Sequence, residues 1–161
     1  LDLFNMSEIM IKKKEDGRIS HKKEHKNFEY TRFEITPRHK ENDVYVAIYE
    51  IPPLKKAYPY HYHLNSCEVF YIISGEGIVR TSLKDKKICK GDVIVCPKDE
   101  AGAHQIINTS TNETLVYLDM DTVPTTDVVI YPDSKKIGVI QTAKSSTFFK
   151  ERDQVEYYQD E

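Results

Sequence analysis

The chain has 161 residues, 39 % of them hydrophobic and 30 % charged, with 23 basic against 26 acidic side chains and a net charge of −3. This fits one domain with enough apolar side chains for a core, and it excludes a disordered polyelectrolyte. There is no basic excess of the kind that binds nucleic acid, and the longest apolar runs, such as 69–73 and 93–96, are far too short for a membrane-spanning helix. The chain starts at Leu1 rather than Met and shows no basic-then-apolar leader pattern. With an odd number of cysteines (Cys67, Cys89, Cys96), the expectation is a cytoplasmic protein with free thiols.

Residues 1–27 are polar and lysine-rich, with seven basic and five acidic residues, and read as an N-terminal extension in which 2–11 form a short helix or strand. From Phe28 onward, short runs rich in β-branched and aromatic residues recur: 28–35, 44–51, 68–73, 77–83, 86–90, 92–96, 104–108, 114–120, 127–131 and 136–140. Turn residues separate them, among them Pro52-Pro53, Gly75-Glu76-Gly77, Gly91-Asp92 and Pro97-Lys98-Asp99. Many short strands at near-regular spacing, with no helix-length amphipathic stretch between them, predict an all-β domain: one antiparallel sandwich or barrel over 28–145. Residues 146–161, acidic and aromatic, read as a C-terminal tail.

Two histidines stand in Tyr60-His61-Tyr62-His63. Alternate residues of a strand share a face, roughly 6.6 Å apart, so His61 and His63 can converge on one ion. Glu68 opens the next run and, if it shares an inward face with Phe70 and Ile72, brings a carboxylate to the imidazoles; His104 opens a later run as a fourth candidate. Three imidazoles and one carboxylate suit Fe, Mn, Ni, Co or Zn as a divalent ion, with room left for water or substrate.

The spacing His61-x-His63-x4-Glu68-x6-Gly75, followed by Gly91-x5-Pro97 and Gly102-x-His104-x3-Asn108, resembles the two signatures of the cupin superfamily. The resemblance covers roughly residues 44–121. It implies a small jelly-roll β-barrel with a metal inside its mouth, held at the positions of His61, His63, Glu68 and His104. Two departures stand out. Lys55 occupies the place of a usual glycine, and two extra residues lie between Pro97 and Gly102. The second makes His104 the ligand expected to be held least firmly.

Other residues carry blander expectations. His21 and His25 flank lysines and read as a solvated segment, and His39 as loop surface. Cys67 reads as a thiol turned away from the site. Asp119 and Asp121 share a strand face, with solvent exposure as the expectation. One or two of Tyr45, Tyr49 and Tyr71 are expected to reach the pocket. No nucleophile elbow is present, and Gly75-Glu76-Gly77 lacks the lysine and helix of a phosphate loop. Cupins include isomerases and epimerases, dioxygenases, decarboxylases and non-catalytic binders. The resemblance therefore implies either a metal-dependent enzyme acting on a small polar molecule, by isomerase/epimerase- or dioxygenase-type chemistry, or a non-catalytic metal- or ligand-binding cupin. A homodimer is expected, because exposed strand edges need covering and small one-barrel cupins commonly pair.

Overall fold

The computed structural model describes residues 9–39, 42–142 and 146–160. Of the segment 2–11, residues 2–8 lie outside the described residues, and 9–11 have no regular structure. The strands are β1 (Arg18–His25), β2 (Phe28–Thr36), β3 (Val44–Ile51), β4 (Tyr62–His63), β5 (Glu68–Ser74), β6 (Glu76–Thr81), β7 (Lys86–Cys89), β8 (Val93–Cys96), β9 (His104–Asn108), β10 (Leu115–Thr122), β11 (Thr126–Tyr131), β12 (Lys136–Gln141) and β13 (Thr147–Lys150). No α-helix occurs among the described residues. Each predicted run is a strand, so the all-β expectation holds.

Sheet structure reaches beyond 28–145 at both ends. β1 pairs antiparallel with β2, and β13 with β12. β1 carries lysines at the sheet edge, where they oppose pairing with other chains.

A six-stranded antiparallel sheet runs β1-β2-β3-β10-β5-β8. A four-stranded sheet runs β13-β12-β11-β4, and a three-stranded sheet β7-β6-β9. The two smaller sheets meet at one bridge, in which His61 N–H donates to His104 O (3.1 Å) and His104 N–H to His61 O (2.9 Å). Gly75, with φ +82°, carries the chain from β5 in one wall to β6 in the other. An added Cβ there would lie 2.6 Å from Thr114 O, so the crossing requires glycine.

The period of two builds the core. Tyr45, Ala47, Tyr49 and Ile51 of β3, Phe70 and Ile72 of β5, and Leu115 and Tyr117 of β10 all turn inward and are buried. The opposite face of the six-stranded sheet is apolar as well. One row crosses every strand, pairing Ile19, Phe33, Ile48, Leu118, Tyr71 and Val93 in succession. A second pairs Val46, Met120, Val69 and Val95. Ile19, Tyr71, Val93 and Val95 on this face are exposed.

The two extra residues before Gly102 form a 3₁₀ turn, Glu100–Gly102, rather than a loose loop. Asp99 N–H donates to His63 O (2.8 Å) and Gly102 N–H to Asp99 O (2.9 Å). Asn108 secures the far end of β9, its side-chain amide donating to Ile51 O and Glu113 O at 2.9 and 2.8 Å. The insertion therefore fastens His104 to the strand that carries His63, contrary to the expectation of a weakly held residue. A Cβ on Gly102 would stand 1.8 Å from Pro97 O. Gly102→Ala should cost about 1–3 kcal/mol. It should lower the midpoint of chemical unfolding without changing the slope, and an unchanged midpoint would show that this turn does not constrain the fold.

Candidate metal centre

Strand parity delivers the four predicted residues to one place. His63 lies on β4, with His61 immediately before that strand. Glu68 starts β5 on the same inward face as Phe70 and Ile72, and His104 starts β9. All four are buried. His61, Glu68 and His104 offer ligand atoms that all lie within 4.8 Å of one another. His63 stands outside that tight group, although its Nε2 is 3.4 Å from Glu68 Oε1. The corresponding Nε2 to Glu68 distances are 3.9 Å for His61 and 3.3 Å for His104.

The Nδ1 atoms show which way each ring faces. His61 Nδ1 is 2.8 Å from Pro59 O, His104 Nδ1 is 2.9 Å from Gly102 O, and His63 Nδ1 is 2.5 Å from an Asp127 carboxylate oxygen. Carbonyls and carboxylates only accept, so each Nδ1 donates its proton. The Nε2 atoms are left facing Glu68, as lone pairs when the rings are neutral. Lone pairs converging on a carboxylate repel unless a cation stands between them, so this donor set fits a divalent metal ion. The Nδ1 ties orient the rings in the way that outer partners orient metal-bound imidazoles.

The charges agree. Burial pulls the His61 imidazole down to about 4, against the Glu68 charge, and leaves the ring neutral. Burial also acts to lower His63, but the bonds to Asp127 and Glu68 win and raise it to about 9. Glu68 is held well below the usual carboxylate range, because the three histidines outweigh its burial.

The cluster forms one wall of a cavity of about 330 Å³. The other walls carry residues that the sequence left on the surface or did not single out. Asp119 is buried beside the cavity rather than solvent-exposed, because it shares the inward parity of Tyr117. Asp121 is buried as well, ion-paired to Arg38. Tyr45 and Tyr49 reach the cavity; Tyr71 does not and lies on the outer sheet face. Their hydroxyls form a chain: Tyr45 to Tyr49 at 3.2 Å, Tyr49 to Tyr58 at 2.9 Å and Tyr58 to Tyr30 at 3.3 Å. Asp127, Arg32 and Arg38 were not singled out as site residues, and no local motif marks them. Asp127 reaches His63 only through the pairing of β11 with β4.

The remaining histidines and the cysteines stay outside the cavity. His21 and His25 are exposed, as a solvated segment should be, and that segment is the strand β1. Cys67, Cys89 and Cys96 are free thiols, and burial pushes Cys96 up to about 12, an inert state.

Residues 47–121 match the family model described as the cupin domain. The chain carries a cupin domain over these residues. Among solved structures, this cupin is similar to a protein of Acidithiobacillus ferrooxidans provisionally assigned as a sugar phosphate isomerase. The two are 27 % identical with a TM-score of 0.65, over 74 % of this chain and 75 % of that one. A sugar phosphate isomerase of the cupin superfamily from Silicibacter pomeroyi is 16 % identical with a TM-score of 0.70, over 80 % and 81 % of the two chains. A predicted oxalate decarboxylase of Thermotoga maritima is 24 % identical with a TM-score of 0.60, over 71 % of this chain and all of that one. The last two likenesses concern the fold alone. Comparison with curated proteins finds no match. No helix among the described residues is long and apolar enough to cross a membrane.

Asp119 is the exceptional group of this cupin cavity. Burial first, and then the Glu68 charge, push its carboxyl up to about 8 against the pull of Arg38, His63 and Arg32. Its Oδ1 is buried with no hydrogen-bond partner. Between the ordinary aspartate value and about 8, the folded state holds a proton that the unfolded chain has lost. Stability conferred by that proton is complete at low pH and is lost as pH rises through this window. Asp119→Asn should therefore raise the melting temperature more at pH 8.5 than at pH 5.5, by about 2–4 °C for each kcal/mol recovered. Equal shifts at both pH values would show that Asp119 does not titrate in this range.

Proposed function

We propose that this cupin is a metal-dependent enzyme acting on a small polar molecule, by isomerase- or epimerase-type proton transfer, with His61, His63, Glu68 and His104 as the ligands. The observation that carries this reading is Asp119, a buried carboxyl with a free oxygen lining the same cavity as the ligand cluster. A cavity serving retention alone has no use for a second titratable group whose burial is unfavourable, whereas proton transfer needs one that ionises near the working pH. A divalent ion held by the cluster would polarise a substrate carbonyl or hydroxyl as a Lewis acid. Asp119 takes a proton from the adjacent carbon on Oδ1 and returns it at the neighbouring position. Phe70, Phe148 and Tyr131 line the cavity and limit the entry of water. The likeness to the Acidithiobacillus protein, provisionally assigned as a sugar phosphate isomerase, supports isomerisation over oxygen chemistry.

The test uses protein purified without chelators. One transition-metal ion per chain is expected in wild type, and loss of most of it in His61→Ala, His63→Ala, Glu68→Gln and His104→Ala alike. Incubated in D₂O with hydroxyaldehydes and hydroxyketones, the loaded wild type should exchange carbon-bound protons. The rate should rise with pH as Asp119 ionises. Asp119→Asn should keep its metal and lose about 10²–10⁴-fold of that exchange. Exchange that persists in Asp119→Asn would remove the acid–base role. Retained metal with no exchange in wild type would favour the non-catalytic binder.

We also propose that the protein is a homodimer, paired through the outer face of the six-stranded sheet. One apolar row crosses that sheet from edge to edge, a span of about 24 Å at the ordinary strand spacing, and the second crosses four of its six strands. A flat apolar face of this kind is self-complementary under a two-fold axis, in the aligned packing of sheet on sheet. Light scattering should give twice the chain mass at micromolar concentration, and Val93→Lys with Val95→Lys should give the monomer. A monomeric wild type would exclude the pairing.

A further inference from the structure

Two residues that line the cavity each hold a buried polar atom without a partner: Asp119 its Oδ1 and Arg32 its Nε. Arg32 sits on β2 opposite Tyr49, and its side chain is only 27 % exposed. Its one ionic neighbour is Glu34, with NH2 to Oε2 at 3.6 Å, which leaves Nε unengaged. The second guanidinium of the cavity is already committed, since Arg38 is ion-paired to Asp121 and lies over the Tyr45 ring at 4.5 Å. Leaving a buried donor unpaired costs about 1–3 kcal/mol, more when the group is charged. A planar guanidinium with an unpartnered N–H matches a carboxylate or phosphoryl group better than a neutral hydroxyl.

We propose that Arg32 is the anion subsite of this cavity, and that the natural ligand is a small polyol or oxo compound bearing a carboxylate or phosphoryl group at one end. The anionic end accepts from Arg32, while the oxygen-bearing end faces the ligand cluster. A cavity of about 330 Å³ lies within the range of small-molecule sites. The tyrosine hydroxyls along its wall can donate to, or accept from, the hydroxyls of such a chain. This inference names the substrate class for the proposed enzyme and rests on that reading of the cavity as its ligand site.

Three probes on one carbon skeleton test it: glycerol, glycerate and glycerol 3-phosphate, each titrated calorimetrically into the full-length, metal-loaded protein at 0.15 M salt. At least one of the two anions should bind ten-fold or more tightly than glycerol, and the better of the two distinguishes a carboxylate from a phosphoryl ligand. Arg32→Gln should erase that preference without changing metal content, and Arg32→Lys should retain part of it. Circular dichroism checks that each variant folds; if Arg32→Gln does not, the comparison of Arg32→Lys with wild type decides. Equal binding of glycerol and both anions, or a preference that survives in the folded Arg32 variant, overturns the proposal. Metal content is measured separately on the same samples. Full loading without an Arg32-dependent preference sinks the anion subsite alone, whereas an Arg32-dependent preference in protein that loads no metal sinks the enzyme reading and leaves the subsite standing.

Discussion

Three imidazoles turn their Nε2 atoms towards one carboxylate because their Nδ1 atoms are tied to oxygens that can only accept. Much of the barrel serves that arrangement. His61 and His104 are bonded to each other across the seam where the two smaller sheets meet, so one backbone bridge both closes that wall and sets two of the rings. Glu68 comes from the opposite sheet, and Asp127 holds the third ring from β11. A buried carboxylate with no countercharge would be costly, and the histidines already hold Glu68 ionised. The site is thus preorganised for a cation by groups drawn from separate strands.

Two aspartates on one strand face show how finely the environment divides like residues. Asp121 is compensated by Arg38 and behaves as a structural anion. Both keep one oxygen without a hydrogen bond, but in Asp119, one pleat nearer the middle of the barrel, burial and the Glu68 charge push the carboxyl up to about 8. Its burial works against stability, and residues that a fold keeps at such a cost concentrate where chemistry is done. Arg32 repeats the pattern with the opposite charge. A cavity whose walls hold a guanidinium and a carboxyl, each with one unpartnered atom, beside a convergent ligand cluster is polar at chosen points within aromatic walls, the usual make-up of a small-molecule site.

The insertion before Gly102 shows a local departure strengthening a site. Two additional residues would ordinarily lengthen a loop and loosen the strand after it. Here they complete a 3₁₀ turn whose backbone bonds back to the strand of His63. The entry of His104 into β9 is fixed on both sides as a result. The polar N-terminal segment is similar, since its lysines mark it as surface, yet its backbone pairs along the edge of the large sheet.

Chain order and side-chain alternation alone predicted that the protein is all-β, where its core strands run, and that His61 and His63 share a face; the resemblance to the cupin signatures added Glu68 and His104 to the same site. Those features depend on the period of two within a strand and on turn residues between strands, both local. β1 escaped because its side chains are polar and its strand identity comes only from hydrogen bonds to β2. Asp119 and Asp121 share the parity of the buried Tyr117, but their carboxylates argue for solvent; only the packing of one sheet over the other decides that they are enclosed. The partnerships of Asp127 with His63 and of Arg38 with Asp121 join residues 64 and 83 positions apart. The register between distant strands sets those contacts, and no spacing along the chain encodes them.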